Sequence, residues 1–190
     1  MPKKLPSARQ PTQADLQAAR GKGVSDVIDA DLRVLFCGIN PGLYTAAVGH
    51  HFARPGNRFW TALHQGGFTT RLLLPFQERE LLKVGCGITN LVGRATARAD
   101  ELEGEEFVEG ARRLERKIRR YRPACVALVG ITAFRKAFGR PNAKLGRHDH
   151  DLAGALVWVL PSTSGLNAHY QAPDFARLFG QLRRAVDAQV

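Results

Sequence analysis

Three stretches of the chain are almost wholly apolar, and each stops at a glycine or a proline. Leu32 to Cys37 runs into Gly38, Ala124 to Val129 into Gly130, and Ala155 to Leu160 into Pro161. Short apolar runs without alternation predict strands buried on both faces, and hence a mainly parallel sheet covered by helices. A shorter segment, Gly87-Ile88-Thr89, predicts a further strand. Between these runs the apolar period lengthens to that of a helix. Phe107, Ala111, Leu114, Ile118 and Tyr121 make one stripe along 104–121, with acids first and bases last, the order that complements the helix dipole. Residues 57–65 put Phe59, Trp60 and Leu63 on one side and end at Gly66-Gly67, and 174–188 does the same with Phe175, Leu178, Phe179 and Leu182. Residues 11–20 and 77–83 predict shorter helices, while 24–30 is too weakly patterned to assign. The alternation predicts one α/β domain over 32–190, a three-layer α/β/α sandwich around a mainly parallel sheet of about four or five strands. Residues 1–31 are expected to be an N-terminal extension, partly flexible, its first ten residues a basic tail.

Composition narrows the class. With 190 residues, 44% hydrophobic and 24% charged, the chain can bury a real core, which excludes wholesale disorder and a multi-span membrane protein. No run approaches the roughly 20 apolar residues of a membrane span, and no apolar segment follows the basic start as in a secretory signal. A cytoplasmic protein is the expectation. Lys and Arg number 28 against 17 Asp and Glu, a formal charge of +11. Such an excess points towards a polyanionic partner; a solvated basic surface is the plainer alternative. Cys37, Cys86 and Cys125 are odd in number and widely spaced, which argues against a cysteine-built zinc or iron–sulfur site and for small buried hydrophobes. His148 and His150 form an HxH pair without a nearby third ligand and are expected on a surface loop rather than on a metal.

In an open parallel sheet, ligands gather beyond the C-terminal ends of the strands. The loops expected there are Gly38–Gly42, Gly130–Thr132 and Pro161–Asn167. In the first, Asn40 presents an amide just past a buried strand, where it could act on a ligand or close an Asx-turn. Phe52 could be a core residue, but its neighbours His50-His51 and Ala53-Arg54-Pro55 favour partial exposure.

Five blocks then occur in order: Gly38-Ile39-Asn40-Pro41-Gly42-Leu43, Gly49-His50-His51-Phe52, Pro55-Gly56-Asn57-Arg58-Phe59-Trp60, Gly87-Ile88-Thr89-Asn90-Leu91-Val92, and Leu160 through Asn167. The set resembles the mismatch-specific uracil-DNA glycosylase and thymine-DNA glycosylase family, close to the bacterial mismatch-specific enzymes, from about Leu32 to the C-terminus. The resemblance implies a monofunctional DNA glycosylase of base excision repair, which extrudes uracil from double-stranded DNA, notably from G:U mismatches, and hydrolyses the N-glycosidic bond without metal or cofactor. It implies a monomer that acts on duplex DNA and has no membrane role. Carried over by position, Phe52 stacks on the base and Asn40 orients the attacking water. The backbone N–H groups of Ile39 and Phe52 face the leaving base, Asn90 binds its polar edge, and His51 matches a pocket residue of the thymine branch. The loop Gly165-Leu166-Asn167 would wedge into the duplex, with Ser162 and Ser164 on phosphate. Leu166 could otherwise cap the sheet edge.

Departures from the family pattern bear on specificity. Ser162 stands where the bacterial branch often has Asn, and Ala168 where it has a wedge Arg, so any preference for mispaired guanine would fall to Asn167 or His169. Thr45 is expected at the C5 side of the pocket, where a β-branched side chain would crowd the methyl of thymine. Asp100 precedes the long helix as a cap or first-turn acid, or else helps to activate water. No GxxxxGK[ST] or GxGxxG motif is present, which disfavours a nucleotide-dependent enzyme. The alternative to an enzyme is a nucleic-acid-binding module of weak activity on the same fold.

Overall fold

The structure is a computed structural model that describes residues 10–189. The expected basic tail falls almost wholly outside them. The strands are β1 (Val34–Gly38), β2 (Cys86–Asn90), β3 (Cys125–Val129), β4 (Gly146–Leu152) and β5 (Ala155–Leu160). They form one sheet in the order β2-β1-β3-β5-β4, parallel except for β4 on the β5 edge. Helices α1 (Gln13–Ala18), α2 (Leu43–Val48), α3 (Phe59–Gln65), α4 (Gly104–Tyr121), α5 (Ile131–Ala137) and α6 (Ala172–Asp187) complete the described fold, with 3-10 segments at Pro75–Val84 and Ala99–Glu101.

The apolar runs become central strands because every residue of β1, β3 and β5 is buried. Successive side chains go to opposite faces and feed two cores. On one face Phe36, Ile88, Ala127 and Trp158 pack against Phe59 and Leu63 of α3 and Phe175, Phe179 and Leu182 of α6. On the other, Leu35, Val126 and Val157 meet Phe107, Leu114 and Ile118 of α4 and Phe134 of α5. The expected three-layer α/β/α sandwich is the observed one.

Several local expectations differ. The segment at 77–83 is a 3-10 helix over Pro75–Val84. The HxH pair lies not in a loop but in β4, whose exposure alternates along 146–152, so that both rings share one face beside Phe134. Desolvation, aided by Arg140 and His148, lowers the pKa of His150. Among the described residues no group of three or more His, Cys, Asp or Glu could hold a metal ion. No helix of the described residues is long and apolar enough to cross a membrane. The cysteines are free and buried, and burial pushes each thiol up to about 12. The stretch 24–30 also packs: Val27 bridges to Ile88, and Asp26 binds both Lys117 and Thr89.

Candidate active site

Chain order turns β1 towards β2 on one side and β3 on the other, so the loops beyond β1 and β3 diverge and leave a crevice at the C-terminal edge. A cavity of about 430 Å³ opens there. It is lined by Ile39, Asn40, Thr45, His51, Phe52, Asn90, Asp100, Ser162, Ser164, Leu166 and Asn167. Of the residues that the resemblance places in base binding, catalysis or the wedge, all line this cavity except Gly165, which lies in the same loop; Ala168 and His169 do not line it. Thr96 lines it as well and was not foreseen; so do Arg98, beside Asp100, and Thr163, inside the last block.

Asn40 is held in one orientation. Its Nδ2 donates to the carbonyl of Arg94 at 3.0 Å and to Oγ1 of Thr96 at 2.8 Å. A carbonyl only accepts, so the amide face is settled: both donors are spent on the protein and Oδ1 is left as an acceptor. Thr96 is 1% exposed, and its hydroxyl donates to the Arg98 carbonyl at 2.7 Å, which makes it the acceptor for Asn40. The Arg94 end is anchored in turn by two bonds from its guanidinium to Glu106 in the first turn of α4. Arg94 accordingly holds the Glu106 carboxyl down at about 2.

Phe52 has φ +52°, a left-handed conformation unusual for an aromatic residue. That turn lays its ring flat on Phe59, with centroids 3.9 Å apart and planes 16° from parallel. Phe59 covers one face of the ring, and Phe52 is itself among the residues that line the cavity. Gly38 explains the tightness here. A Cβ on it would stand 2.6 Å from Oδ1 of Asn90 and 3.2 Å from Cζ of Phe52, so only glycine lets both side chains approach the end of β1. The backbone N–H groups of Ile39 and Phe52 have no acceptor among the described residues.

His51 is 1% exposed, and Glu78 reaches it from the 3-10 segment. One Glu78 oxygen accepts from the His51 backbone N–H at 2.8 Å and lies 2.9 Å from His51 Nδ1; the other lies 3.0 Å from His50 Nδ1. Burial by itself would raise the Glu78 pKa, but the hydrogen bonds from His51 and His50 outweigh it and lower the pKa. An ionised carboxylate accepts only, so His51 carries a proton on Nδ1, and Nε2 is buried without a partner on a residue that lines the cavity.

Asp100 sits at the rim. Its carboxylate is bound by the Arg98 guanidinium at 2.7 and 3.2 Å, and both side chains are largely exposed. It does not cap the long helix: the N-cap of α4 is Glu103, and Asp100 belongs to the separate 3-10 turn Ala99–Glu101. The hydroxyls of Ser162 and Ser164 accept from the backbone of their own loop, at 3.4 and 3.3 Å. Leu166 is 74% exposed beside them.

A stacking ring, an oriented amide oxygen and unpaired N–H groups in one concave site suit a planar polar ligand whose leaving fragment gains negative charge. The solution NMR structure of a candidate uracil DNA glycosylase from Methanosarcina acetivorans aligns with a TM-score of 0.58, covering 86% of this chain and 98% of that chain at 18% sequence identity. That likeness is one of fold. The profile of the Uracil DNA glycosylase superfamily matches residues 25–184, which takes in the whole sheet, every cavity loop and most of α6. With the five blocks assembled around one cavity and that profile covering most of the sequence, the chain belongs to the uracil DNA glycosylase superfamily, and its role is that of a DNA glycosylase.

Proposed function

We propose that the protein is a monofunctional, mismatch-specific uracil-DNA glycosylase that takes uracil out of duplex DNA, notably from G:U pairs, and hydrolyses its N-glycosidic bond to leave an abasic site. The observation that carries this reading is the locked amide of Asn40, which spends both Nδ2 donors on the protein and leaves Oδ1 free on the cavity that Phe52 also lines. An extruded base lies on Phe52, since stacking on an aromatic face holds a flipped base without regard to its edge. Asn90 then meets its polar edge. As the C1′–N1 bond breaks, the sugar becomes cationic and the base anionic. The N–H groups of Ile39 and Phe52 stabilise the anion, as preorganised donors do at low reorganisation cost. A water that donates to Asn40 Oδ1 has its lone pair free for C1′; its oxygen bonds to that carbon and its proton leaves to solvent. An amide is too weak a base to take that proton, so the acceleration comes from orientation and leaving-group stabilisation. Asp100, tied to Arg98 at the rim, adds negative potential for the cationic sugar. Ser162 and Ser164 still have hydroxyl protons to give to phosphate, and Thr45, 6% exposed on the cavity wall, crowds a 5-methyl group.

Duplexes carrying U, T or an etheno base opposite G or A, treated with enzyme and then alkali, test the reading. Release of uracil from G:U is expected to exceed that of thymine from G:T, and Asn40→Ala is expected to abolish release while leaving DNA binding in place. Equal release from G:U and G:T would refute the part given to Thr45. Full single-turnover activity in Asp100→Ala would remove Asp100 from the chemistry. Binding without release by the wild-type protein would favour the non-catalytic alternative.

A further inference from the structure

Leu166 is the most exposed of the large apolar side chains described here, at 74%. An apolar side chain on a free loop folds back onto the surface to shed water. This loop is not free. Leu166 occupies the third position of a turn closed by the Asn167 N–H on the Ser164 carbonyl at 2.9 Å. Both ends of that turn are held by one side chain. Nη2 of Arg58 donates to the carbonyls of Ser164 and Asn167 at 2.5 and 2.7 Å, and Nη1 donates to that of Tyr170 at 2.7 Å. The guanidinium lies over the ring of Phe175 in α6, 4.8 Å from its centroid, and the Arg58 backbone N–H donates to Thr163 at 2.9 Å. The loop is also seated directly on the chain before Arg58, because a Cβ on Gly165 would stand 2.9 Å from the Gly56 carbonyl. A cation so surrounded by carbonyls is turned inward and is not presented to phosphate.

We propose that Arg58 is a positioning residue for Leu166: it makes the turn 164–167 rigid, so that the leucine stands out as a preformed wedge for the duplex. The proposal rests on the base-extruding reading above. An apolar wedge must unstack a base step, and a turn ordered in advance spares the further cost of ordering the loop on contact. The three carbonyls are met from two nitrogens of one planar group, Nη1 and Nη2, a spread that an ammonium, with all its donors on a single nitrogen, does not reproduce.

The test is a double-mutant cycle. Single-turnover release from a G:U duplex is measured for the wild type, Arg58→Lys, Leu166→Ala and the double variant. The fluorescence of 2-aminopurine beside the lesion reports extrusion, and thermal denaturation reports the fold. Arg58→Lys is expected to slow release roughly tenfold and to lower the extrusion signal. In the Leu166→Ala background the same change is expected to cost less than about twofold, because residues acting through one another are not additive. Losses that multiply in the double variant, or unchanged release in Arg58→Lys, would overturn the proposal. Should Arg58→Lys not fold, Gly165→Ala takes its place, since its Cβ lifts the same turn from Gly56 and carries the same expectation. If the wild type releases no base from any duplex, the functional reading fails instead. Amide exchange then judges the clamp: Asn167 is expected to lose protection in Arg58→Lys, and equal protection would sink it.

Discussion

At the scale of single residues, the proposed chemistry depends on which way one amide points. Nothing on Asn40 itself decides that; Thr96 and the Arg94 carbonyl do. Thr96→Val keeps the volume and removes the acceptor, leaving a buried N–H with one partner fewer. Single-turnover release is expected to fall roughly tenfold with little change in substrate affinity, and Thr96→Ser is expected to restore it; a loss confined to affinity would point elsewhere. Gly38 makes a second residue-scale prediction. Gly38→Ala sets its new methyl against Oδ1 of Asn90, an atom at the end of a side chain that can swing. The protein is expected to fold with a melting temperature near that of the wild type and to bind base poorly. Asn40, Phe52 and Asn90 stand out in the sequence because each lies in a block with Gly or Pro. Thr96 carries no such mark, since it meets Asn40 only through the packing of two loops 56 positions apart.

At the scale of elements, periodicity marks helices whose buried side is built of large apolar residues. α4 shows its stripe over 18 residues and the seven-residue α3 shows Phe59, Trp60 and Leu63, whereas α2 buries only Thr45 and α5 only Phe134 beside two alanines. β4 alternates, but through Arg, His and Asp, so its pattern is of exposure rather than of apolarity. The 3-10 segment Pro75–Val84 looks a minor connector in the sequence, yet it carries Glu78 to both histidines. The lowered Glu78 pKa makes this link pH-dependent. With a folded pKa below the unfolded one, the unfolded chain binds the proton more readily, so the stabilisation is present above the ordinary carboxylate pKa and is lost as pH falls through the folded value. Melting temperatures measured from pH 7 to pH 3 are expected to fall more steeply for the wild type than for Glu78→Gln. At pH 7 Glu78→Gln is expected to cost about 1–3 kcal/mol, the usual penalty for a buried hydrogen bond left imperfect. Parallel pH curves for the two proteins would show that Glu78 carries no such linkage.

At the scale of the whole molecule, the question is where the positive charge lies. The densest basic run, Arg112 to Arg122, forms the second half of α4 and leads into the start of β3. The strands beside it are parallel, so this run is at their N-terminal edge, opposite the cavity. Much of it is also paired: Arg112 and Arg116 with Glu109, Arg119 with Glu115, Arg122 with Asp31, and Lys117 with Asp26. Near the cavity Arg58, Arg94 and Arg98 are occupied by carbonyls or carboxylates, and exposed Arg54 has no carboxylate partner among the described residues. Arg54→Ala is therefore expected to weaken DNA binding and to reduce the slope of log K against log salt by about 1, as for one lost phosphate contact, whereas Arg120→Ala is expected to leave that slope unchanged. Equal effects would mean that DNA wraps to the far side of the sheet.

The layered α/β architecture was legible in the chain, because strands buried on both faces and a long amphipathic helix leave their periods in it. The sequence also marked the cavity loops, since tight turns past strand ends need Gly, Pro and Asn wherever the rest of the chain goes. The rest came from long-range packing: the orientation of the Asn40 amide, the Glu78 link to His51, the seating of the Leu166 turn on Arg58 and the side of the molecule that holds the basic run. Each depends on groups brought together from distant positions; a hydrogen bond acts only at contact and an exposed charge pair only within about 8 Å, distances that no local pattern of residues encodes.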